Sequence, residues 1–322
     1  MKILVTGAAG FIGSHVCDSL LEAGNQVIGI DNFNDYYSPE RKRKNIAALD
    51  GRKRFSFFEL DFTDRDKLNE LFEKEKPQRV IHLGAMANVR YSVKRPDLFI
   101  DNNITGTANL LEFASKHKID NFVFASTSSI YGQREDVPFI ETDNSDLPLA
   151  AYPASKKAGE LLGHAWYNMS GMNFSSLRFF NVYGPNGRPD MMPWKVIEAI
   201  KTGKEITLFN DGEMYRDWTY IGDIVSGVIA AVERPLGYQV FNLGCGEPHS
   251  MKQFMKIYEK LAGKEIPYVA VDAPKSEPIR TFASIDKAKK LLDYNPRVSL
   301  EVGLTRFWEW YQENLISRID LD

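Results

Sequence analysis

The chain has 322 residues, 43% of them hydrophobic and 26% charged, with a formal net charge of −3. That length suits two closely joined domains, and the charge balance gives no basis for broad binding to nucleic acid or to an anionic membrane surface. The two cysteines, Cys17 and Cys245, are too few for a disulfide framework and lack the spacing of a zinc site; no apolar run reaches the roughly 20 residues of a membrane span. No metal is expected, and a reduced cytosol is the expected location.

The N-terminal KILVTG reads as a short buried strand. It runs into TGAAGFIG, which sets Gly7, Gly10 and Gly13 between that strand and the amphipathic stretch GSHVCDSLLEAG. The same glycines interrupt what would otherwise imitate a secretory signal. Glycines at such a turn let the backbone approach a pyrophosphate at the positive end of a helix, although a strand–helix turn of this kind can also stand without a ligand. QVIGID, the next strand, ends in Asp31, where folds of this type place the acid that hydrogen-bonds a ribose. An acid there repels a 2′-phosphate, so NAD is expected rather than NADP. The basic run RKRK, residues 41–44, is read as a solvated helix face in preference to a phosphate contact.

FSFFELD supplies a third strand, followed by Asp61 as an expected adenine contact. TDRDKLNELFEKEK has a helical pattern, with Thr63 or Asp64 as N-cap and an end before Pro77. RVIHLGA is the fourth strand; His82 lies within its apolar run and is expected to be packed, and the small residues of HLGAMA leave room for a flat cofactor. NFVFAST then carries Thr127, Ser128 and Ser129 to a strand's carboxyl end, where open α/β sheets bind ligands. Tyr152 and Lys156 of YPASK are four apart and share a helix face. A lysine cation beside a phenol favours the phenolate, which makes Tyr152 a candidate general base. Several strands are nearly all apolar, as parallel strands covered on both faces are, and their alternation with helices predicts a doubly wound parallel α/β sheet.

After NFSSLRFF and Asn181 the rhythm changes: loops lengthen, and prolines and glycines cluster. A smaller second domain is expected from about residues 179–216 and 245–322, with 1–178 and a return segment, about 217–244, forming the dinucleotide-binding domain. In YGPNGRPDM, residues 183–191, Arg188 has no readable helix face and no acidic partner at helical spacing.

TGAAGFIG, IDNFNDYY, HLGAMA, DNNITGT, STSSIYG, YPASK, RFFNVYGP and RDWTYIGD stand in the order seen in extended short-chain dehydrogenases/reductases that act on nucleotide sugars. DNFNDYY with its basic sequel, VRY and YGPNGRPDM most resemble UDP-glucuronate 4-epimerases. The resemblance implies a tightly held NAD, a Rossmann-type domain with a smaller C-terminal domain for the UDP-sugar substrate, and a homodimer through paired helices. It implies cofactor contacts from Gly7, Gly10, Phe11, Ile12, Gly13, Asp31, Asn32, Asp61, Phe62, Leu83, Ala85, Asn102, Tyr152, Lys156 and Phe180. It also implies that Tyr152 takes the O4 proton, that Thr127 orients O4, and that Lys156 holds the tyrosine ionised and binds the nicotinamide ribose.

On the substrate side it implies Thr127, Ser128, Ser129, Arg90 and Asn181, with Arg188 at the sugar carboxylate and Phe209 and Thr207 at uracil. Arg216 is implied at the diphosphate; the competing reading pairs it with Asp217 or Asp211. Phe209 reads equally as a core residue, and Arg188 as the partner of Asp190. The segment APKSEPIR departs from the family's Gly-Asp, with Glu277 the expected replacement at the ribose and Lys275 or Arg280 replacing an arginine that some relatives carry upstream. Pro153, unusual after the tyrosine, is expected to be harmless at a helix N-terminus. Ser128 and Ser129 lack the carboxylates of sugar dehydratases. A UDP-glucose/UDP-galactose 4-epimerase, a UDP-glucuronate decarboxylase and a non-catalytic NAD-binding redox sensor remain the alternatives.

Overall fold

The computed structural model describes residues 1–274 and 277–315. In chain order the strands are β1 (Lys2–Thr6), β2 (Gln26–Asp31), β3 (Phe55–Glu59), β4 (Arg79–His82), β5 (Asn121–Thr127), β6 (Asn173–Phe179), β7 (Asn181–Tyr183), β8 (Ile206–Phe209), β9 (Tyr215–Tyr220), β10 (Tyr238–Leu243), β11 (Pro248–Ser250), β12 (Tyr268–Val271) and β13 (Arg280–Thr281).

Seven of them form one sheet in the order β10-β6-β5-β4-β1-β2-β3, and every neighbouring pair is parallel. The reason lies in the side chains: all seven residues of β5 are buried, as are four of the five in β1, so both faces must be covered. One face carries Phe11, Val16 and Leu20 of the helix Phe11–Glu22 and Ile224 and Val228 of the helix Ile221–Glu233. The other carries Leu68 and Leu71 of the helix Arg65–Glu75 and Leu110 and Leu111 of the helix Thr107–Lys116. Asp64 caps the first of these two, accepting from Lys67 N at 3.2 Å.

The helix Ala151–Ser170 lies close on the sheet because Gly159 and Gly163 face the rings of Phe124 and Phe174; a Cβ at either would strike them. Pro153 falls in its first turn, where the missing N–H has no helical acceptor.

The return of the chain to this sheet comes with β10, beside β6. Residues 217–220 belong instead to β9, which pairs with β7, β11 and β13 in a small second sheet. Beside it β8 and β12 form a parallel pair. A separate core gathers there around Val196, Leu208, Trp218, Phe254, Tyr258 and Phe307. Among the described residues no helix is long and apolar enough to cross a membrane.

Candidate active site

The sheet order reverses between β1 and β4, and ligands of open α/β sheets bind in the crevice beyond the strand ends at such a point. A cleft of about 950 Å³ opens there, lined by both cores. Its floor is the glycine turn. Gly7 has φ +67°, and a Cβ on it would stand 2.7 Å from Gly84 N; a Cβ on Gly13 would strike the Gly7 carbonyl. Gly10, at the N-cap of the helix Phe11–Glu22, makes no side-chain cap, which leaves the first-turn N–H groups without one. This cradle suits a pyrophosphate.

At the end of β2, Asp31 accepts from Phe33 N at 2.9 Å. Burial pushes its carboxyl up, while the Lys42 ammonium and backbone N–H groups pull it back. A buried acid beside a lined cavity is what a ribose hydroxyl pair would meet. Asn32, Phe62, Leu83, Ala85, Asn102 and Phe180 join Phe11 and Ile12 in the wall.

Asp61 stands behind the wall. Its carboxylate accepts from Thr63 N at 2.8 Å and from Asn32 Nδ2 at 2.8 Å, so it orients Asn32 and closes its own turn. His82 is fully buried, with Thr6 Oγ1 2.7 Å from Nδ1 and Thr107 Oγ1 3.0 Å from Nε2. Burial and the Lys156 charge hold it well below the usual imidazole range. With both nitrogens satisfied it is a packed residue.

The chemistry converges where β5 ends. Thr127 is the last residue of β5 and Tyr152 the second of the helix Ala151–Ser170. Thr127 Oγ1 accepts from Ser129 N at 3.2 Å and lies 3.2 Å from Ser129 Oγ, which fixes the turn that brings Ser128 and Ser129 into the wall. Burial pushes the Tyr152 phenol up; its hydrogen bond with Thr127 and the charge of Arg188 act the other way. Lys156 is 2% exposed, with Nζ 4.7 Å over the Phe124 ring. Burial alone brings its ammonium down to about 7. A lysine cation is expected beside the phenol; desolvation weakens that charge, and the opposing influences on the phenol come from Thr127 and Arg188.

Arg188 lines the cleft in the loop after β7 and is paired. Its Nε donates to Asp190 Oδ1 at 3.0 Å and its Nη2 to Asp190 Oδ2 at 2.9 Å. Tyr36 and Asn88, not singled out in the sequence, also line the wall, as does Lys42 of the basic run 41–44. Lys42, in the supposedly solvated run, is 4% exposed and donates to Asn34 O at 2.8 Å and Asn34 Oδ1 at 2.9 Å. Arg43 and Lys44 of that run are exposed, as a solvated face requires. Every fourth residue of a short helix turns inward, a signal present in PERKRKNIA through Lys42 and Ile46.

At the far end Arg216 Nη2 meets Glu277 Oε2 at 3.3 Å, and its Nη1 donates to Pro278 O at 3.0 Å. Neither aspartate of the competing reading is its partner: Asp217 accepts from Cys245 N and Gly246 N, and Asp211 binds Lys252. Arg90 lies 3.8 Å from Glu277 and 5.9 Å from the Phe209 ring. Asn181, Phe209, Arg216, Glu277 and Arg90 all line the cleft. Thr207 is exposed on β8 and outside it. Arg280 stacks over Tyr215 at 4.7 Å, and Lys275 lies outside the described residues.

Residues 3–244 match the model of the NAD dependent epimerase/dehydratase family. The chain belongs to that family. The UDP-glucuronate 4-epimerase of Thermodesulfobacterium geofontis is 43% identical over 97% of this chain and 96% of its own. The UDP-glucuronic acid 4-epimerase of Bacillus cereus, solved with UDP-glucuronic acid and NAD, superposes with a TM-score of 0.91 at 38% identity, covering 97% of this chain and 99% of that one. The Thermotoga maritima UDP-glucose 4-epimerase, solved with UDP-glucose, gives 0.87 at 32%, covering 98% and 100%. The Rossmann-type fold read from the sequence is the fold of these family members, and NAD is the dinucleotide that the glycine cradle and Asp31 fit.

Proposed function

We infer that this chain is an NAD-dependent isomerase that interconverts UDP-glucuronate and UDP-galacturonate through a transient 4-keto sugar. The observation that carries the choice of sugar is Arg188: a guanidinium in the cleft wall, close enough for its charge to act on the Tyr152 phenol. A carboxylate on the sugar's sixth carbon would meet it there with matching planar geometry.

NAD, when bound, supplies the hydride acceptor and donor at C4. The chain's own residues do the rest. Tyr152 takes the proton of O4 and returns it, and Thr127, hydrogen-bonded to that phenol, orients O4. Lys156 and Asn102 hold the nicotinamide end; Asp31 and Asn32 hold the adenosine end. Ser128 and Ser129 add hydroxyls without a carboxylate, so no acid/base pair for losing water stands beside the ring. Asn181 and Arg216 bind the diphosphate, Phe209 stacks on uracil, and Glu277 serves the uridine ribose. We assign residues around the first sheet to the cofactor and those of the small sheet to the nucleotide sugar.

One observation favours a second reading, a UDP-glucose 4-epimerase. Arg188 already has a carboxylate partner in Asp190, so the wall carries little surplus charge. Incubating the purified protein without added NAD, separately with UDP-glucuronate and UDP-glucose, and identifying products by NMR decides between them. Galacturonate is expected. Galactose alone would overturn the uronate reading, and xylose would mark a decarboxylase.

A cytoplasmic homodimer through paired helices completes the proposal. Leu161 and Met169, 60% and 70% exposed on the helix Ala151–Ser170, support it as apolar surface awaiting cover. A single-chain mass by light scattering would refute the dimer.

A further inference from the structure

We propose that Asp190 is a positioning residue: it holds Arg188 side-on, and so turns the open end of the guanidinium towards the sugar carboxylate. The inference rests on the uronate reading above. Its basis is which atoms are used. Arg188 gives Nε–H to one oxygen of Asp190 and an Nη2–H to the other, at 3.0 and 2.9 Å. A guanidinium has five N–H donors in a rigid plane, so this pairing consumes two from one edge. Among the described residues, both hydrogens of Nη1 and the second of Nη2 remain. The pair formed by Nη1 and Nη2 is the end-on edge, and it has the spacing for another bidentate carboxylate.

Asp190 is itself braced. Its Oδ2 also accepts from the Tyr36 hydroxyl at 3.0 Å and from Asn88 Nδ2 at 2.9 Å. Tyr36 comes from the loop after β2, and its ring lies 5.2 Å from that of Tyr91 and 5.9 Å from the Arg188 guanidinium. Asn88 is itself fixed, since its Oδ1 caps the helix Val89–Lys94 by accepting from Tyr91 N at 2.8 Å. Three chain segments thus converge on one carboxylate. A counter-ion needs only proximity; a carboxylate tied at this many points sets a direction.

The rival model makes Asp190 a stand-in that the substrate displaces. That exchange would leave a half-buried carboxylate beside an incoming one with no cation between them. The side-on geometry requires no exchange: every bond seen here persists while the end-on edge is filled. Held from both edges, Arg188 can fix the orientation of the sugar's C5–C6 bond, which governs whether the 4-keto acid keeps its carbon dioxide.

Steady-state kinetics with UDP-glucuronate on the wild type, Asp190→Asn and Tyr36→Phe, with products identified by NMR, test this. Asp190→Asn is expected to lower kcat for galacturonate about tenfold and to raise the share of UDP-pentose several-fold, with Tyr36→Phe shifting the product ratio the same way by less. A purely structural role would slow turnover without moving that ratio. A lower KM in Asp190→Asn with an unaltered product ratio would overturn the inference, since a removed competitor gives that signature. An unaltered ratio in both variants, whatever the rate, overturns it as well. The wild type alone tests the underlying reading: if it yields no galacturonate, both fall, whereas galacturonate from a wild type whose variants keep its product ratio sinks only the role of Asp190.

Discussion

Tyr152 and Lys156 are placed by the same feature that makes them readable: a turn of helix starting beyond a strand-end hydroxyl. Lys156 is the more costly of the two to bury. Its ammonium falls to about 7, while an unfolded lysine keeps its proton to roughly 10.4. Between these values the unfolded chain binds more protons than the native one, so stability rises with pH. In protein freed of dinucleotide, stability relative to Lys156→Met should therefore increase by about 3.5 kcal/mol from pH 7 to pH 10, at 1.36 kcal/mol per pH unit less the rounding at each end. Urea denaturation at the two pH values measures it, and a difference that stays flat would show the ammonium to be solvated or paired. The residues legible in the sequence (Gly7, Asp31, Thr127, Tyr152) are those whose chemistry is tied to a strand end or a helix turn. Asp190 was legible as a partner for Arg188 two residues before it, but Tyr36 and Asn88, which hold it, lack such a marker. Their contacts span 154 and 102 positions between loops, and loop geometry carries no period to read.

The helix Ala151–Ser170, β5 and β6 are joined by a buried ion pair. Glu160 Oε1 accepts from Ser126 Oγ at 2.6 Å, Ser176 Oγ at 3.0 Å and Arg178 Nε at 3.0 Å, and Oε2 accepts from Arg178 Nη2 at 2.8 Å. Arg178 also donates to the Tyr131 hydroxyl at 2.9 Å, and that hydroxyl in turn donates to Asn242 on β10. Both side chains of the pair are at most 3% exposed. Breaking such a pair leaves an uncompensated charge, so Glu160→Gln should cost about 3–5 kcal/mol of stability. The double variant Glu160→Gln/Arg178→Gln should cost less than the sum of the two single changes, because its second substitution removes the stranded charge. Additive losses in denaturant titrations would mean that the pair does not act as a unit. These strands were readable because near-continuous apolar runs imply cover on both faces. The small sheet was not: β7, β11 and β13 have three, three and two residues, and they gather around β9 out of chain order. Strands that short show no alternation, and their pairing is a tertiary choice.

At the scale of the molecule, two hydrophobic cores meet one cleft. Phe179 and Phe180 belong to the core on the first sheet, Trp218 and Phe209 to the core around the small sheet, and all four line the wall. A ligand that touches both sides binds the folded molecule and has no counterpart site in the unfolded chain, so it stabilises the whole. At about 100 times its dissociation constant, UDP alone should add about 2.7 kcal/mol. The assignment of Arg216 to the diphosphate makes the effect specific. Its Nη1 is held by the carbonyls of Tyr215, Pro278 and Ile279, so its charge is aimed before any ligand arrives, and burial lowers its pKa. A second phosphate should therefore count. UDP is expected to raise the thermal midpoint more than UMP at equal concentration, and Arg216→Ala should erase the difference between them. The comparison within each variant cancels whatever the substitution does to stability itself, including the loss of the Glu277 contact. Should Arg216→Ala keep the full gap between UDP and UMP, the diphosphate would be held by other residues, and the small sheet's part in binding the nucleotide would have to be redrawn around Asn181 and Arg90.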